Sequence, residues 1–167
     1  MKSVLPRLLG RLAFAAAAFA STTASAVYVF NTVNYPGSVM TDVRGLNGTG
    51  RIVGYASVDG VNNFSFSYAG GTFSLLPPAP VTSIAHGIND AGTIIGSTFE
   101  DPAPTRGFIL SGGAYTYFMR PGWAHSHGRA ISASGLVTGY SEDAAGTVFS
   151  GFIYNPVTGA FTDISIP

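Results

Sequence analysis

A twelve-residue phrase that occurs three times constrains the fold of this chain more than any other feature. The copies cover residues 44–55, 86–97 and 129–140, so successive copies lie 42 and 43 residues apart. Each copy is followed by an aromatic strand pattern, a turn that contains glycine, and a second aromatic strand pattern. Such a unit holds four short strands in about 42 residues, which is also the size of one β-propeller blade. The repeat therefore predicts tandem four-stranded antiparallel units.

The first half of each phrase has the composition of a hairpin turn. A polar side chain at the first turn position can hydrogen-bond to the backbone, and a glycine three positions later supplies the positive φ of a type I turn followed by a bulge. Branched apolar residues such as Ile94 and Ile95 then begin the second strand. The predicted turn pairs are Asn47 with Gly50, Asn89 with Gly92, and Ser132 with Gly135.

One more glycine follows the branched residues in every copy. These glycines are Gly54, Gly96 and Gly139. Glycine weakens a strand interior unless its missing side chain makes room for another group. We expect a neighbouring sheet to approach closely at these positions.

The composition fits short strands joined by tight turns. The 167 residues include 22 glycines and 10 prolines, together with many aromatic and β-branched residues. With 8 Lys and Arg residues against 8 Asp and Glu, the chain lacks the positive charge that nucleic-acid binding requires. The sequence contains no cysteine, which excludes disulfide bonds and thiol chemistry.

The N-terminal residues have the pattern of a secretory signal. Basic side chains come first, an apolar run covers residues 12–20, and small residues at 24–26 form a signal-peptidase site. The apolar run is far shorter than the roughly 20 residues of a membrane-spanning helix. We therefore predict a signal peptide over residues 1–26 and export of residues 27–167 to the periplasm or the extracellular space, with no membrane span in the exported part.

The exported part contains thirteen predicted strands. Residues 27–37 match the end of a unit and are predicted as a leading strand, and the complete units cover approximately residues 38–78, 79–121 and 122–167. A propeller normally has four to eight blades. We therefore predict an all-β, β-propeller-like but incomplete fold of three blades plus one strand. The alternative is a β-trefoil-like closed threefold, which has no place for the thirteenth strand.

This pattern resembles the HAF family of extracellular repeats found in bacterial exported proteins. Units of that family are similar to G-I-N-x-x-G-x-I-V-G-Y, followed by an aromatic strand near H-G-F and then by F-T-x-x-x-x-P-G. The matching residues here are Gly87-Ile88-Asn89, Gly92, Ile94-Ile95-Gly96, Gly107-Phe108-Ile109 and the segment 115–122. Ala130 and Ser132 depart from the pattern in the third copy, and Arg106 and Ser150 replace the histidine before Gly-Phe. The resemblance implies an exported repeat protein and assigns no catalytic residue.

Two histidines in the stretch His125-Ser126-His127 are the most metal-like feature of the sequence. Alternate residues of a strand share a face, so both imidazoles can reach one ligand. The stretch supplies no third ligand. We therefore predict ligand contact at His125 and His127 and no metal site.

Carboxylates recur after the second strand of each unit, at Asp59, residues 100–101 and residues 142–143. A glycosidase needs two carboxyl groups roughly 5 to 10 Å apart in one cleft. Because each blade carries one set of carboxylates, we expect these groups to lie around a rim as solvated turn residues. The chain also lacks a G-x-S-x-G nucleophile elbow. We predict no enzyme activity and no cofactor.

Aromatic side chains on loops are better candidates for binding than for catalysis. Trp123 and Tyr35 lie in the loops that follow unit ends, where a planar ring can stack against a sugar or another protein. The sequence thus predicts an exported, non-enzymatic scaffold or interaction protein with an unknown macromolecular or glycan partner. A lectin-like carbohydrate-binding module is the alternative. We also expect self-association through exposed sheet edges, because unpaired edges invite strand pairing.

Overall fold

The computed structural model describes residues 30–77, 82–99 and 102–164, and all helical or strand structure in those ranges is β-strand. The strands are β1 (Met40–Leu46), β2 (Ile52–Ser57), β3 (Phe64–Ala69), β4 (Thr72–Leu75), β5 (Thr82–Ile88), β6 (Ile94–Phe99), β7 (Arg106–Ser111), β8 (Ala114–Phe118), β9 (His125–Ile131), β10 (Val137–Glu142), β11 (Phe149–Asn155) and β12 (Ala160–Ile164). The described residues contain no helix with the length and hydropathy needed to cross a membrane. The predicted signal peptide, residues 1–26, lies outside them.

The strands pair as three separate four-stranded sheets. Strands β1–β4 form sheet A, β5–β8 form sheet B, and β9–β12 form sheet C, each an antiparallel meander in chain order. Contacts divide the chain after Asn31, and all three sheets belong to the unit Thr32–Pro167. The prediction of an all-β fold built from tandem four-stranded antiparallel units is confirmed.

Each sheet begins with a hairpin whose turn is closed by its first residue. Asn89 Oδ1 accepts a hydrogen bond from the Thr93 amide at 3.0 Å, and the Gly92 amide donates to the Asn89 carbonyl at 3.0 Å. Gly92 has a φ of 81°, which glycine adopts without steric cost. Asn47 and Ser132 close the equivalent turns with the same backbone and side-chain bonds. The three turns are therefore geometrically alike.

Sheet B lies between the other two sheets. Strand β5 packs against β1, β2 and β3 of sheet A, while β9 packs against β5, β6 and β7 of sheet B. Among the described residues, no strand of sheet A packs against sheet C to a similar extent. The blades therefore form an open, propeller-like series, and the closed threefold alternative is not adopted.

Residues that face one another across the strands form apolar rows, and these rows build the core. Row B consists of Ile88, Ile94, Leu110 and Tyr115, and row C consists of Ile131, Val137, Tyr154 and Phe161. Row B packs against Val53 of sheet A and against Leu76, which directly follows β4. Row C packs against Ile95 and Ile109 of sheet B. Each fully buried side chain of this kind contributes roughly 1.5–3 kcal/mol. The core thus consists of two layers, one between each pair of successive sheets.

The glycine in the second strand of each sheet makes room for its own sheet. A Cβ at Gly96 would overlap the Ile84 carbonyl oxygen and stand 2.6 Å from the Phe108 ring. Both groups belong to sheet B, and Phe108 is fully buried. Gly54 and Gly139 likewise face carbonyl oxygens of β1 and β9. We call the first strands of the three sheets, β1, β5 and β9, the inner strands. A neighbouring sheet also approaches at Gly96, since a Cβ at Gly128 of sheet C would stand 3.0 Å from the Gly96 carbonyl oxygen. The expected approach is therefore present at Gly96, although groups of its own sheet occupy the space that its missing side chain leaves.

Successive sheets also approach closely at their inner strands. A Cβ at Gly45 would stand 3.0 Å from the Cα of Gly87. A Cβ at Gly87 would stand 3.4 Å from the Cα of Ala130. A 3.0 Å contact is tighter than most Cβ contacts, so a side chain at position 45 would require sheet B to shift by a few tenths of an ångström.

A ladder of side-chain amides joins the three turns. Asn47 Nδ2 donates to the carbonyl oxygen of Asn89 at 3.2 Å, and Asn89 Nδ2 donates to the carbonyl oxygen of Ser132 at 3.2 Å. Between the first two turns, the Gly48 amide also donates to Asp90 Oδ1 at 2.6 Å. Ser132 has no amide group, so the ladder ends in sheet C.

The segment before β1 has the local geometry of a unit's end without being a strand. Residues 30–37, the described part of the predicted leading strand, form no strand. A fourth strand must pair with a third strand, and the third strands β3, β7 and β11 each pair with the fourth strand of their own sheet. The turn is nevertheless repeated: the Tyr35 amide donates to Thr41 Oγ1 at 2.9 Å, as the Arg120 amide donates to Ser126 Oγ at 3.0 Å.

Candidate functional site

Each inner strand carries a bulge at the same position of the repeat. The pairing of β1 with β2 skips Arg44, that of β5 with β6 skips His86, and that of β9 with β10 skips Arg129. A bulged residue stands outside the regular ladder, and the bulge redirects its side chain. Because the inner strands of successive sheets are neighbours, these three residues form one group, which we call the bulge cluster.

Arg129 makes the closest contact within the bulge cluster. Its Nη1 lies 3.1 Å from Nε2 and 3.3 Å from Nδ1 of His86, and its Nη2 donates to the Tyr140 hydroxyl at 2.9 Å. The guanidinium carbon stands 5.0 Å from the centroid of the Tyr140 ring. The guanidinium is thus fixed between a tyrosine of its own sheet and the histidine of the preceding sheet.

Arg44 is held by a tyrosine at the position equivalent to Tyr140. Its Nη2 lies 3.3 Å from the Tyr55 hydroxyl and 2.7 Å from Asp42 Oδ2, and its guanidinium carbon stands 5.4 Å from the Tyr55 ring centroid. The Arg44 side chain is 39% exposed. An exposed pair of this kind adds little to stability, so the pair with Asp42 mainly orients a guanidinium that solvent can reach.

His86 is the buried member of the bulge cluster. Burial, followed by the charges of Arg129 and Arg44, lowers the pKa of His86 to about 4. His86 is therefore neutral at neutral pH and accepts a hydrogen bond from Arg129. The positive charge of the cluster lies on its two arginines.

The chemistry of the bulge cluster favours binding over catalysis. A guanidinium presents a planar fork of N–H donors that matches a carboxylate group. A general base is most effective when its pKa lies near the working pH, which the low pKa of His86 does not satisfy. The arrangement can therefore hold an anionic group and has no activated base.

The bulge cluster was not among the predicted site residues. A signal for it exists, since the first position of the twelve-residue phrase holds Arg44, His86 and Arg129 in the three copies. The alignment places the three residues at one repeat position, but it does not show that the sheets stack with their bulges side by side.

The two histidines predicted to share a ligand are engaged by the fold. His125 Nδ1 accepts a hydrogen bond from the Thr105 amide at 3.0 Å. His127 is buried, with Nε2 3.1 Å from Glu142 Oε1 and its ring stacked on Tyr140 at 4.5 Å. Burial lowers the pKa of His127, while Glu142 opposes that shift. Among the described residues, no three His, Cys, Asp or Glu side chains form a group that could hold a metal ion.

Trp123 keeps part of its ring accessible at the turn before β9. Its amide donates to the Arg120 carbonyl at 3.3 Å, and the Arg120 guanidinium carbon stands 5.0 Å from its ring centroid. Arg120 is itself anchored to Asp163 at 2.5 Å and to Ser150 at 3.0 Å. Trp123 is therefore held by a cation–π contact, with the rest of the ring left for another contact.

Tyr35, in contrast, packs into sheet A. Its ring centroid lies 5.0 Å from that of Phe64, 5.2 Å from that of Phe73 and 6.1 Å from that of Phe66. Such aromatic pairs stabilise a fold beyond the area they bury. The Tyr35 ring therefore has a packing role at the surface of sheet A.

The recurring carboxylates close loops. Asp59 Oδ1 accepts the Asn62 amide at 2.8 Å, and Asp143 Oδ1 accepts the Thr147 amide at 2.7 Å. Backbone N–H donors, chiefly those of Asn62 and Val148, hold the pKa values of these two carboxyl groups below the ordinary range. Residues 100–101 lie outside the described residues.

A cleft of about 410 Å³ between sheets A and B is a weaker candidate site. Its lining includes Arg51, Ser67, Leu76 and Leu110. Arg51 is its one charged lining residue among those described, and its Nη2 donates to Ser67 Oγ at 3.1 Å. The bulge cluster, in contrast, combines groups from all three sheets.

Comparison with known proteins leaves the repeat itself as the basis for any family relationship. No model of a known protein family matches the chain, and no curated protein matches it. The resemblance to the HAF family stays a prediction that rests on the motif and its spacing.

Proposed function

We propose that this protein is an exported, non-enzymatic β-repeat interaction protein that holds a carboxylate-bearing partner at the bulge cluster. One observation carries the proposal: the same repeat position in each of three stacked sheets contributes a side chain to one cluster, and its two arginines are exposed. A surface of this kind arises from stacking alone and needs no catalytic group. The signal-like pattern of residues 1–26 and the resemblance to HAF repeats support export.

The two arginines give the surface its ligand preference. Tyr55 and Tyr140 each hold one guanidinium, which reduces the conformational entropy that binding would otherwise cost. The chain as a whole carries no net charge, so local pairing with a carboxylate at this surface provides the recognition. Neutral His86 separates the guanidiniums without adding charge at neutral pH.

The test is a calorimetric titration of the protein with hexaglutamate at low salt, with hexalysine as the comparison peptide. We expect hexaglutamate to bind and the double variant Arg44→Gln, Arg129→Gln to weaken that binding by about tenfold or more, since each charged hydrogen bond contributes roughly 1.5–3 kcal/mol. The control, Arg51→Gln, removes the same kind of charge outside the cluster. No binding by the native protein, or equal loss in the control, contradicts the proposal.

A lectin-like module is the second candidate, and the accessible part of the Trp123 ring favours it. An aromatic ring at a turn can stack on the apolar face of a sugar. Binding on a glycan array that Trp123→Ala abolishes, with hexaglutamate binding absent, would support this candidate. If the protein binds no glycan on the array, the carboxylate proposal stays in place.

A further inference from the structure

Sheet A carries the same apolar row as the other sheets, but among the described residues no other sheet packs on the inner half of this row. This head row consists of Leu46, Ile52, Tyr68 and Phe73, which face one another across β1–β4. Rows B and C have the same positions and are each buried by the preceding sheet. Leu46 is 66% exposed, whereas its equivalent Ile88 is 7% exposed.

Among the described residues, no sheet packs on the face of sheet C that points away from sheet B. In sheet B, row C packs on the surface formed by Gly87, Ile95 and Ile109. The equivalent residues of sheet C are Ala130, Thr138 and Ile153. A groove of about 320 Å³ lies at this place. We call it the tail groove, and it is lined by Ala130, Ile131, Ser132, Leu136, Thr138 and Ile153.

We propose that the head row of one copy of this protein packs into the tail groove of a second copy. The contact between the two copies has the same geometry as the packing of sheet B on sheet A and of sheet C on sheet B. A head-to-tail contact of this type closes into a ring when the rotation between subunits allows it. Two copies supply six sheets, the only multiple of three within the usual range of four to eight blades.

The chain itself covers the outer half of the head face, which leaves only the inner half for a partner. Tyr35 packs on Phe66 and Phe73, as Phe118 at the end of sheet B packs on Phe152 and Phe161 of sheet C. The segment before β1 thus replaces the end of a preceding unit. The face of sheet A remains uncovered around Leu46 and Ile52, where the inner strand of a preceding sheet would pack.

Two residues of the tail groove make the contact between copies weaker than those within the chain. Ala130 adds a methyl group where sheets A and B have glycine, and Ser132 lacks the amide that would donate to Asn47 of the next copy. The dimer is therefore reversible. The contact uses the end faces of the sheet series, whereas the sequence predicted association through sheet edges.

Sedimentation velocity over a range of protein concentrations tests the proposal. We expect a monomer–dimer equilibrium, and Leu46→Glu should raise its dissociation constant by about a hundredfold, because a charge enters each of two apolar contacts. The matched control is Val157→Glu, since Val157 is 91% exposed on the β11–β12 turn. Circular dichroism verifies that each variant keeps its strands.

A gain-of-affinity variant keeps the test independent of folding defects. Ala130→Gly with Ser132→Asn restores the residues that join sheets A and B, and should lower the dissociation constant by about tenfold. A native protein that stays monomeric at all concentrations overturns the proposal, as does a dimer that Leu46→Glu leaves intact. Open-ended filaments contradict the closed six-sheet ring. Hexaglutamate binding is measured separately, so its failure leaves this test unaffected.

Discussion

The side-chain amide nitrogen of Asn47 lies 3.2 Å from the carbonyl oxygen of Asn89, one full repeat later in the chain. Asn47 also closes its own turn through Oδ1, which accepts the Arg51 amide at 2.9 Å. One side chain therefore satisfies the turn with its oxygen and joins two sheets with its nitrogen. This dual use links the repeat in the sequence to the stacking of the sheets.

The two uses can be separated at Asn89. Asn89→Ser should keep the turn, as Ser132 does in the third copy, and lose the bond to the Ser132 carbonyl, at a cost of about 1 kcal/mol. Asn89→Ala should lose both and cost about 2 kcal/mol. Urea unfolding followed by fluorescence measures both values. Equal destabilisation by the two variants would show that the inter-sheet bond contributes nothing.

Substitution of Gly96 should be far more damaging than substitution of another strand glycine. A Cβ at Gly96 would overlap the Ile84 carbonyl oxygen and crowd the buried Phe108 ring, so Gly96→Ala should cost about 3 kcal/mol or prevent folding. Gly151 has 3.7 Å of space around its Cβ position, so Gly151→Ala should change stability by less than about 0.5 kcal/mol. Thermal unfolding of both variants provides the comparison.

His86 should titrate well below a free histidine. An NMR titration of its ring should give a pKa of about 4, and Arg129→Gln should raise that pKa because it removes a neighbouring positive charge. Arg51→Gln serves as the control. A native His86 pKa near 6.5 would mean that the ring is neither buried nor close to the arginines.

The same histidine makes stability depend on pH in a defined direction. The unfolded chain takes up the proton near pH 6.5, whereas the folded chain resists it until about pH 4. The contribution of His86 is therefore fully present above about pH 6.5 and is lost as the pH falls toward 4. His86→Gln should flatten this part of the stability profile, measured as the urea midpoint at each pH.

Tyr35 should act as a packing residue of sheet A. Tyr35→Ala removes the ring that covers Phe66 and should cost about 2–3 kcal/mol, whereas Tyr35→Phe keeps the ring and should cost less than about 1 kcal/mol. Unfolding in guanidinium chloride measures both. A Tyr35→Ala variant as stable as the native protein would mean that the segment before β1 does not cap sheet A.

The sequence predicts the features that depend on local chemistry, and it does not predict those that depend on how the strands and sheets pack. Turn residues such as Asn89 and Gly92 could be identified because a hairpin needs their backbone and side-chain properties wherever it stands. The bulge at His86 and the overlap at Gly96 depend on how β5 and β6 pair and where an aromatic ring then fits. Periodicity carries no information about these features.

The third copy of the repeat shows the same distinction between local features and packing features. Ala130 and Ser132 depart from the repeat pattern, yet the Ser132 turn has the same backbone bonds as the others. Both residues line the face of sheet C on which no described sheet packs. Their position on that face follows from the stacking order, which the sequence does not show.

The most direct test of the stacked-sheet account is a set of nuclear Overhauser effects between inner strands. The account predicts cross-peaks between the α-protons of Gly45 and Gly87, and between those of Gly87 and Ala130, two pairs separated by one repeat each. Cross-peaks within each sheet but none between these pairs would show that the three sheets fold without stacking, and would contradict both the bulge cluster and the head-to-tail ring.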